Sequence, residues 1–259
     1  PSTALVTGAS RGLGEVFAES LAKRGANLVL VARSFDALRG LAERLTAQYG
    51  VECVPLAFDL SDPQAAASIT AEIERRDIQI DLLVNNAGFG LTGPFLSHDV
   101  GRTQEEILVN VHTLVALTHF LGAGMAARRK GGVINIASNA SFQPLPFMAT
   151  YAASKAFVLH FSEALNYELA ESGVHVMAAC PGSTATRFFD GISTNLSPGD
   201  MDSAESVVER TFEAFDRREI VAYPGRSSVR ALSWLPRWLP RSVIVHIAAV
   251  AMRKMGLKS

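Results

Sequence analysis

Short runs of β-branched and aliphatic residues alternate with longer segments of helical period along this chain. The runs are apolar throughout, which is typical of strands that are buried on both faces of a sheet. Strands are predicted at residues 4–6, 28–31, 51–57, 82–84, 133–137, 174–179 and 220–222, with helices between them, for example at 13–23, 35–48 and 104–120. The alternation predicts an α/β fold, a doubly wound parallel sheet with helices on both faces.

Nothing in the pattern divides the chain, which has no low-complexity linker and no repeat of solenoid length. We therefore expect residues 1–259 to form a single domain. The dipeptide Asp62-Pro63 is predicted to begin a helix, with Asp62 as N-cap and Pro63 at the first helical position. Ligands of such sheets bind at the carboxyl ends of the strands, so functional residues are expected there.

Composition is that of an ordinary globular protein: 48% of the 259 residues are hydrophobic, and the formal net charge is -1. The two cysteines, Cys53 and Cys180, do not indicate a disulfide scaffold, so a reducing, cytoplasmic location is predicted. No signal-peptide pattern is expected at the first residues. The six histidines show no metal-ligand spacing. Neither a metal nor a nucleic-acid partner is expected.

Positive charge is concentrated in the last part of the chain. From Arg217 onward the sequence has nine Lys and Arg residues and one acid, Glu219. The same region contains Trp234 and Trp238, each followed two residues later by proline, and the apolar segment Val243 to Met252, which is too short to cross a bilayer. A solvated basic face, a substrate wall, a dimer contact and a peripheral membrane contact all remain open here.

The first predicted strand runs into a glycine-rich turn, Gly8-Ala9-Ser10-Arg11-Gly12-Leu13-Gly14, and then directly into a helix. Glycines allow a tight turn and let backbone N–H groups approach a pyrophosphate, whose charge is favoured at a helix N-terminus. The position at the start of a βαβ unit indicates a dinucleotide site. The turn lacks the Gly-Lys-Ser/Thr sequence of a P-loop, which disfavours nucleoside triphosphate hydrolysis.

The end of the second strand favours NADP(H) over NAD(H). An NAD-dependent enzyme usually has an acid there, which accepts a hydrogen bond from the ribose 2′-hydroxyl group. This sequence has Ala32 and Arg33 instead. Arg33 would bind a 2′-phosphate, and Arg11 would form the other side of the clamp.

Three polar residues follow the fifth strand in an order that indicates proton transfer. Ser138 comes directly after that strand, and Tyr151 and Lys155 lie four residues apart, on one face of a helix. The ammonium group is expected to lower the pKa of the Tyr151 phenol, which would make it an acid or base near neutral pH. The Ser138 hydroxyl would stabilise charge that develops on a substrate oxygen.

Together these residues resemble the short-chain dehydrogenase/reductase family. The similarity extends from about Thr3 to Thr186 and rests on Thr7-Gly8-x-x-x-Gly12-x-Gly14, Asp59-Leu60, Asn85-Asn86-Ala87-Gly88, Asn110, Ser138, Tyr151-x-x-x-Lys155 and Pro181-Gly182-x-x-x-Thr186. The resemblance implies a Rossmann-like fold and an oxidoreductase that moves a hydride between NADP(H) and a carbonyl or alcohol substrate. The sequence departs from the family at Thr184, where an aliphatic residue is common, and at Ala137, where many relatives have serine.

The resemblance also implies a role for each matched residue. Tyr151 would be the acid in reduction, Lys155 would tune it and hold the nicotinamide ribose, Ser138 would orient the carbonyl, and Asn110 would help to hold a water that relays protons to Lys155. The cofactor-binding residues would be Gly8, Ser10, Arg11, Gly12, Leu13, Gly14, Arg33, Asp59, Leu60, Asn86, Ala87, Gly88, Tyr151, Lys155, Pro181, Gly182, Thr184 and Thr186. Within that set, Asp59 would contact the adenine, and the two threonines would contact the carboxamide.

After Thr186 the family pattern fades, as expected where substrates are selected. Residues 187–259 are therefore expected to provide the substrate region and a C-terminal extension, with Phe188, Phe189 and Ile192 in a mobile loop over the cofactor. The bulky apolar residues favour a sizeable substrate, such as a 3-oxoacyl thioester, a steroid or an aromatic ketone. Apolar residues on several faces of the helices around 107–121 and 153–169, together with the family comparison, imply a homodimer or homotetramer.

Two other interpretations stay open. An NAD-dependent alcohol or hydroxysteroid dehydrogenase of the same family is disfavoured by Ala32-Arg33. A non-catalytic NADP(H)-sensing regulator commonly lacks the tyrosine or the lysine, whereas this chain retains Asn110, Ser138, Tyr151 and Lys155.

Overall fold

Strands and helices alternate through most of the chain. The computed structural model describes residues 2–186, 188, 194, 195, 197–234, 236 and 238–257. The strands are β1 (Thr3–Thr7), β2 (Asn27–Ala32), β3 (Cys53–Ala57), β4 (Leu82–Asn85), β5 (Gly131–Ile136), β6 (Val174–Ala179), β7 (Thr184–Ala185), β8 (Asp202–Ser203) and β9 (Val221–Ala222). The helices are α1 (Gly12–Lys23), α2 (Phe35–Tyr49), α3 (Ala65–Arg75), α4 (Val100–Ile107), α5 (Thr113–Ala127), α6 (Ala149–Leu169), α7 (Ala204–Asp216), α8 (Ser227–Trp234) and α9 (Arg241–Lys254).

Seven strands form one sheet in the order β3-β2-β1-β4-β5-β6-β9, and every neighbouring pair is parallel. The order reverses between β1 and β4, which opens a crevice at their carboxyl ends. A separate pair, β7 and β8, lies beyond the sheet. The predicted α/β fold with a Rossmann-like, doubly wound parallel sheet is confirmed.

Successive residues of one strand enter cores on opposite faces of the sheet. Val6 belongs to a buried cluster with Phe17 and Phe212, whereas Leu5 belongs to a second cluster with Ile69 and Leu117. Helices therefore cover both faces. This double burial explains why the strands are apolar throughout.

The predicted helix start at Asp62-Pro63 is wrong. Helix α3 begins at Ala65, with Gln64 as its N-cap. The Asp62 carboxylate accepts a hydrogen bond of 2.9 Å from the backbone N–H of Gln64 and so closes a local turn. An aspartate can satisfy the backbone two residues ahead in this way, which competes with its use as a helix cap.

The predicted helix at 104–120 belongs to a longer helical stretch with an irregular centre. Helices α4 and α5 are joined by a π-helical turn at Leu108–His112. By length and composition alone, Val100–Ala127 is apolar enough to cross a membrane. Leu117 and Met125 on it are fully buried in the domain core. The apolar character of Val100–Ala127 is therefore explained by its packing on the sheet.

The C-terminal region forms two helices, as its apolar pattern allows. Helix α8 ends at Trp234, consistent with the proline two residues later, and α9 contains the apolar segment 243–252. Two residues singled out in the sequence, Phe189 and Ile192, lie outside the described residues.

Candidate active site

The glycine turn after β1 is built for close backbone approach. A Cβ at Gly14 would lie 2.2 Å from the carbonyl oxygen of Gly8, and a Cβ at Gly8 would lie 3.0 Å from Cα of Ala87. Gly8 and Gly12 also adopt left-handed φ angles of 67° and 59°. At the N-cap of α1, the side chain of Arg11 makes no capping hydrogen bond. The turn therefore presents an open helix N-terminus, which fits a pyrophosphate.

Thr7 joins this turn to the end of β4, a role that the sequence analysis did not assign. Its hydroxyl oxygen accepts hydrogen bonds of 3.0 Å from the backbone N–H groups of Asn86 and of Ala87. The Asn86 side chain in turn donates to the carbonyl oxygen of Thr7 at 2.9 Å. These contacts hold the two edges of the crevice together at the switch point of the sheet.

Buried amides brace the sheet beneath the site. The Nδ2 atom of Asn85 donates to Asn135 Oδ1 at 2.9 Å and to Thr118 Oγ1 at 3.0 Å. Asn135 donates onward to the Ser162 hydroxyl at 2.9 Å. Asn85 therefore has a structural role within the Asn85-Asn86-Ala87-Gly88 motif, and the network links β4 and β5 to the helices behind them.

The two basic residues expected to bind a 2′-phosphate, Arg11 and Arg33, lie in the turns that follow β1 and β2. β2 ends at Ala32, and Arg33 follows on the surface. The glycine turn reaches the same edge, since Ala9 N–H donates to the carbonyl oxygen of Val31 at 3.2 Å. Within the described part of the chain, neither Arg11 nor Arg33 makes a side-chain hydrogen bond or salt bridge, in contrast to Arg24, which pairs with Asp216 at 3.1 Å.

Asp59 and Leu60 follow β3 at the same edge. The Asp59 carboxylate accepts hydrogen bonds from the backbone N–H and hydroxyl of Ser61 at 3.0 and 2.8 Å, and these contacts, with a smaller effect from Arg33, lower its pKa. The carbonyl oxygen of Leu60 accepts a hydrogen bond of 2.8 Å from the Thr113 hydroxyl. Both residues are thereby fixed beside the cleft.

Ser138 lies two residues beyond β5 and is nearly buried. Its oxygen accepts a hydrogen bond of 3.1 Å from the Ala140 backbone and donates to Asn139 Oδ1 at 3.2 Å. Ser141, which the sequence analysis did not single out, donates to the carbonyl oxygen of Lys155 at 2.8 Å. This contact ties the segment after β5 to α6, the helix that carries Tyr151.

Lys155 is almost fully buried, at 4% exposure. Its Nζ atom donates a hydrogen bond of 2.7 Å to the carbonyl oxygen of Ile136. Burial lowers the pKa of the ammonium group to about 8. A Cβ at Gly88 would lie 3.2 Å from this Nζ and 3.0 Å from Asn110 Oδ1, so a side chain at Gly88 would crowd both groups.

The expected lowering of the Tyr151 pKa is wrong for the protein alone. Burial raises the pKa of the phenol to about 12, with a smaller opposing effect from a hydrogen bond with Ser138 and a further increase from the Glu106 carboxylate. Lys155 Nζ is 5.8 Å from the centre of the tyrosine ring and donates a hydrogen bond to the carbonyl oxygen of Ile136. Tyr151 is therefore protonated at neutral pH, which is the form that can donate a proton to a carbonyl oxygen.

The Asn110 side chain is occupied by protein contacts. Its amide donates to the carbonyl oxygen of Phe89 at 2.8 Å and to the Ser154 hydroxyl at 3.1 Å, and its oxygen accepts from Phe89 N–H at 3.1 Å. Asn110 thus fixes the loop after β4 against α6. Asn110 lies within the π-helical turn at Leu108–His112.

The segment after β6 crosses in front of the glycine turn. The backbone N–H of Asn139 donates to the carbonyl oxygen of Pro181 at 2.9 Å, and the Thr184 hydroxyl donates to that of Gly182 at 3.1 Å. A Cβ at Gly12 would lie 3.4 Å from Cβ of Thr186. The predicted residues at 181–186 therefore line the same cleft as the glycine turn.

An apolar cluster surrounds the tyrosine. Met148, Met252 and Leu257 are buried, and Tyr151, Phe188, Leu145, Phe147 and Met255 pack against them. The rings of Tyr151 and Phe188 have centroids 5.4 Å apart. Since Met252 and Leu257 belong to α9 and to the residues just after it, the C-terminal extension forms part of the apolar surroundings of Tyr151.

The sequence matches the family model for short chain dehydrogenase over residues 2–197. The chain is a short-chain dehydrogenase. The very-long-chain 3-oxoacyl-CoA reductase of Bos taurus is 32% identical to this short-chain dehydrogenase over 242 residues, which cover 91% of the chain and 76% of the relative. Hydroxysteroid dehydrogenase-like protein 1 of Gallus gallus is 37% identical over 186 residues, which cover 71% of this chain but only 56% of that relative.

Two solved structures have the same fold. A short-chain dehydrogenase from Sphingobium yanoikuyae in complex with NADPH is 37% identical, with a TM-score of 0.82 over 86% of this chain and 88% of that one. The bulky-bulky ketone specific alcohol dehydrogenase from Comamonas testosteroni is 32% identical, with a TM-score of 0.79 over 93% of this chain and 96% of that one. This chain is accordingly an oxidoreductase that acts on CH–OH or C=O groups.

Proposed function

We propose that this short-chain dehydrogenase is an NADP(H)-dependent reductase that interconverts a bulky apolar ketone or 3-oxoacyl group and the corresponding secondary alcohol. The observation that carries the proposal is the convergence of Ser138, Tyr151 and Lys155 beside the loop that follows β4, with an apolar cluster against the tyrosine.

The cofactor preference rests on charge at the end of β2. Ala32 offers no acceptor for a ribose 2′-hydroxyl group, whereas Arg33 and Arg11 are exposed cations without hydrogen-bonded partners among the described residues. Guanidinium groups match phosphate geometry, so these two side chains would bind the 2′-phosphate. The NADPH complex of the Sphingobium yanoikuyae relative supports this choice.

The cleft fits a dinucleotide because side chains are excluded at Gly8, Gly14 and Gly88. When bound, the nicotinamide supplies or accepts the hydride. The other cofactor contacts would come from the residues predicted after β1, β3, β4 and β6, together with Lys155.

The protein side of the reaction is a proton transfer. In reduction Tyr151 donates its phenolic proton to the carbonyl oxygen of the substrate, and Ser138 donates a hydrogen bond that stabilises the charge developing there. The positive charge of Lys155 would stabilise the resulting phenolate, and a water held with the help of Asn110, as the family resemblance implies, would return the proton. In oxidation the same groups act in reverse.

The apolar cluster around Tyr151 supports a bulky substrate. Met148, Met255 and Phe188 belong to the apolar cluster that contains the tyrosine and give it flexible or aromatic apolar neighbours. Methionine adapts to irregular apolar shapes. The bovine relative is a very-long-chain 3-oxoacyl-CoA reductase and the Comamonas testosteroni relative is specific for bulky-bulky ketones, and both agree with this choice.

Two surfaces fit larger partners. Phe120 on α5 and Phe157 on α6 are each 43% exposed, and a second copy of the chain would cover them in a homodimer or homotetramer.

An exposed apolar stripe on α9 is formed by Val243, Ile247 and Val250. The same helix carries the basic residues Arg241, Arg253 and Lys254, and Trp238, which is 81% exposed, precedes it in the sequence. This stripe would contact an anionic membrane surface.

The function is tested by the oxidation of NADPH and of NADH with ketones of increasing size. We expect turnover with NADPH and a bulky apolar ketone. NADPH binding without turnover on any ketone or 3-oxoacyl substrate would instead identify a sensing protein.

Light scattering at micromolar concentration tests whether the chain forms the proposed homodimer or homotetramer. Sedimentation with anionic vesicles at low and high salt tests the membrane contact, which salt should weaken.

A further inference from the structure

Glu106 on α4 is a fully buried carboxylic acid beside the catalytic cluster. Its exposure is 0%, and neither carboxylate oxygen makes a full hydrogen bond to any described residue. The backbone of Leu91 provides only a weaker polar contact. A buried ionisable group without partners is costly to a fold, so it calls for a functional explanation.

The carboxyl group acts on both residues that handle the proton. Its charge interacts with the ammonium of Lys155 and with the phenol of Tyr151, and in each case the negative charge favours the protonated form. Glu106 lies four residues before Asn110, whose side chain bonds to Ser154 next to Lys155. The same helical stretch therefore places the acid and the asparagine against α6.

Other ionisable groups near Glu106 are engaged elsewhere. On its own helix, Arg102 is exposed and pairs with Glu105. In the loop before α4, Asp99 caps the helix through the N–H of Arg102, and His98 contacts the carbonyl oxygen of Thr92. From α6, the groups that interact with the Glu106 carboxyl are Lys155 and Tyr151.

We propose that Glu106 is a positioning residue for the Tyr151–Lys155 pair, and that its buried charge sets the pH at which Tyr151 changes from proton donor to proton acceptor. This inference rests on the proposed function, because it requires that Tyr151 exchange a proton with the substrate.

The direction of the effect follows from the sign of the charge. Burial raises the pKa of Glu106 to about 7, so the group becomes negative as the pH passes neutrality. A negative charge in a poorly solvated site raises the pKa of a neighbouring phenol and of a neighbouring ammonium group. Ionised Glu106 therefore keeps the proton on Tyr151 to a higher pH than the tyrosine would otherwise reach.

The test compares pH profiles of kcat/KM for ketone reduction with NADPH and for alcohol oxidation with NADP⁺ in Glu106→Gln and wild type. Glutamine keeps the shape and removes the charge, so we expect the midpoints in both directions to move about one pH unit toward acid. Glu105→Gln is the matched control, because it removes an equal charge one residue away on the surface. Its profiles should superimpose on those of the wild type. Glu106→Asp keeps a carboxylate, so its midpoints should lie between those of Glu106→Gln and the wild type.

Unchanged midpoints in Glu106→Gln would overturn the proposal, as would an equal shift in Glu105→Gln. If Glu106→Gln does not fold, infrared difference spectra of the wild type and Glu105→Gln provide the second readout. We expect a protonated carboxyl band in both proteins that is lost with a midpoint near pH 7 as the pH rises. A band that is already lost at pH 5 would contradict the proposal. Tyr151→Phe, measured in parallel, separates the two claims: an active Tyr151→Phe enzyme refutes the proposed function, whereas an inactive one with unmoved Glu106→Gln midpoints refutes only this inference.

Discussion

The Cα of Gly14 faces the carbonyl oxygen of Gly8 so closely that a Cβ at Gly14 would lie 2.2 Å from that oxygen. The obstacle is backbone, which cannot rotate away as a flexible side chain can. Only glycine fits, and the whole turn would have to shift to admit any other residue.

We therefore expect Gly14→Ala to lower the free energy of unfolding by roughly 1–3 kcal/mol and to weaken NADPH binding at least tenfold. The matched control is Gly40→Ala in α2, where an added Cβ would meet nothing within 4 Å. That variant should gain up to about 1 kcal/mol, because alanine favours a helix more than glycine does. Thermal denaturation and NADPH titration measure both effects. Unchanged NADPH affinity in Gly14→Ala would contradict the assignment of this turn to the cofactor.

Cofactor choice depends on Arg33 and on the missing acid at Ala32. NADPH should bind more tightly than NADH by roughly 1.5–3 kcal/mol, the range for a charge-assisted contact. The double variant Ala32→Asp, Arg33→Ala should reverse the order, since it supplies an acceptor for the ribose hydroxyl and removes the phosphate ligand. Arg75→Ala, which alters an exposed arginine paired with Glu72, should change neither affinity. Equal affinities for the two cofactors in the wild type would refute this account.

Much of this architecture follows from sequence patterns alone. Continuous apolar runs predict the parallel sheet because both faces are covered, and the motifs predict which residues follow each strand. Glu106 could not be predicted, since Glu105-Glu106 has the pattern of a solvated helix face, and only the packing of α4 on α6 turns the second acid inward. The raised pKa of Tyr151 was also missed. Burial, which a sequence does not display, raises this pKa, and the hydrogen bond with Ser138 opposes it only in part.

Stability should depend on pH through Glu106. The pKa of its folded form, about 7, is above the ordinary value of 4.5, so its stabilising contribution is present below about pH 4.5 and is lost as the pH rises through 7. The shift corresponds to roughly 3 kcal/mol. Glu106→Gln should therefore gain stability relative to the wild type between pH 5 and pH 8, as followed by denaturant unfolding at each pH. The free energy of unfolding of Glu105→Gln should show no such trend. A difference in free energy of unfolding between Glu106→Gln and the wild type that stays constant with pH would contradict the titration of a buried acid.

The C-terminal extension is expected to select substrates by size. Met255 packs against the cluster that contains Tyr151, and its carbonyl oxygen accepts hydrogen bonds from Thr194 and Asn195, which fix the backbone there. Met255→Ala should raise KM for bulky ketones several-fold more than for small ones, with NADPH affinity nearly unchanged. Val250→Ala, on the exposed face of α9, is the control and should leave both KM values unaltered. A uniform change across substrates would assign Met255 a purely structural role.

The central claim, that Tyr151 donates the proton in an NADPH-dependent carbonyl reduction, is tested most directly by single-turnover reduction of a bulky apolar ketone by Tyr151→Phe. The phenylalanine ring keeps the packing against Phe188 and removes only the proton donor. We predict a rate at least about a hundredfold below that of the wild type, the usual contribution of a general acid, with NADPH affinity within a few-fold. A variant that binds NADPH normally and keeps a large share of the wild-type rate would contradict the account.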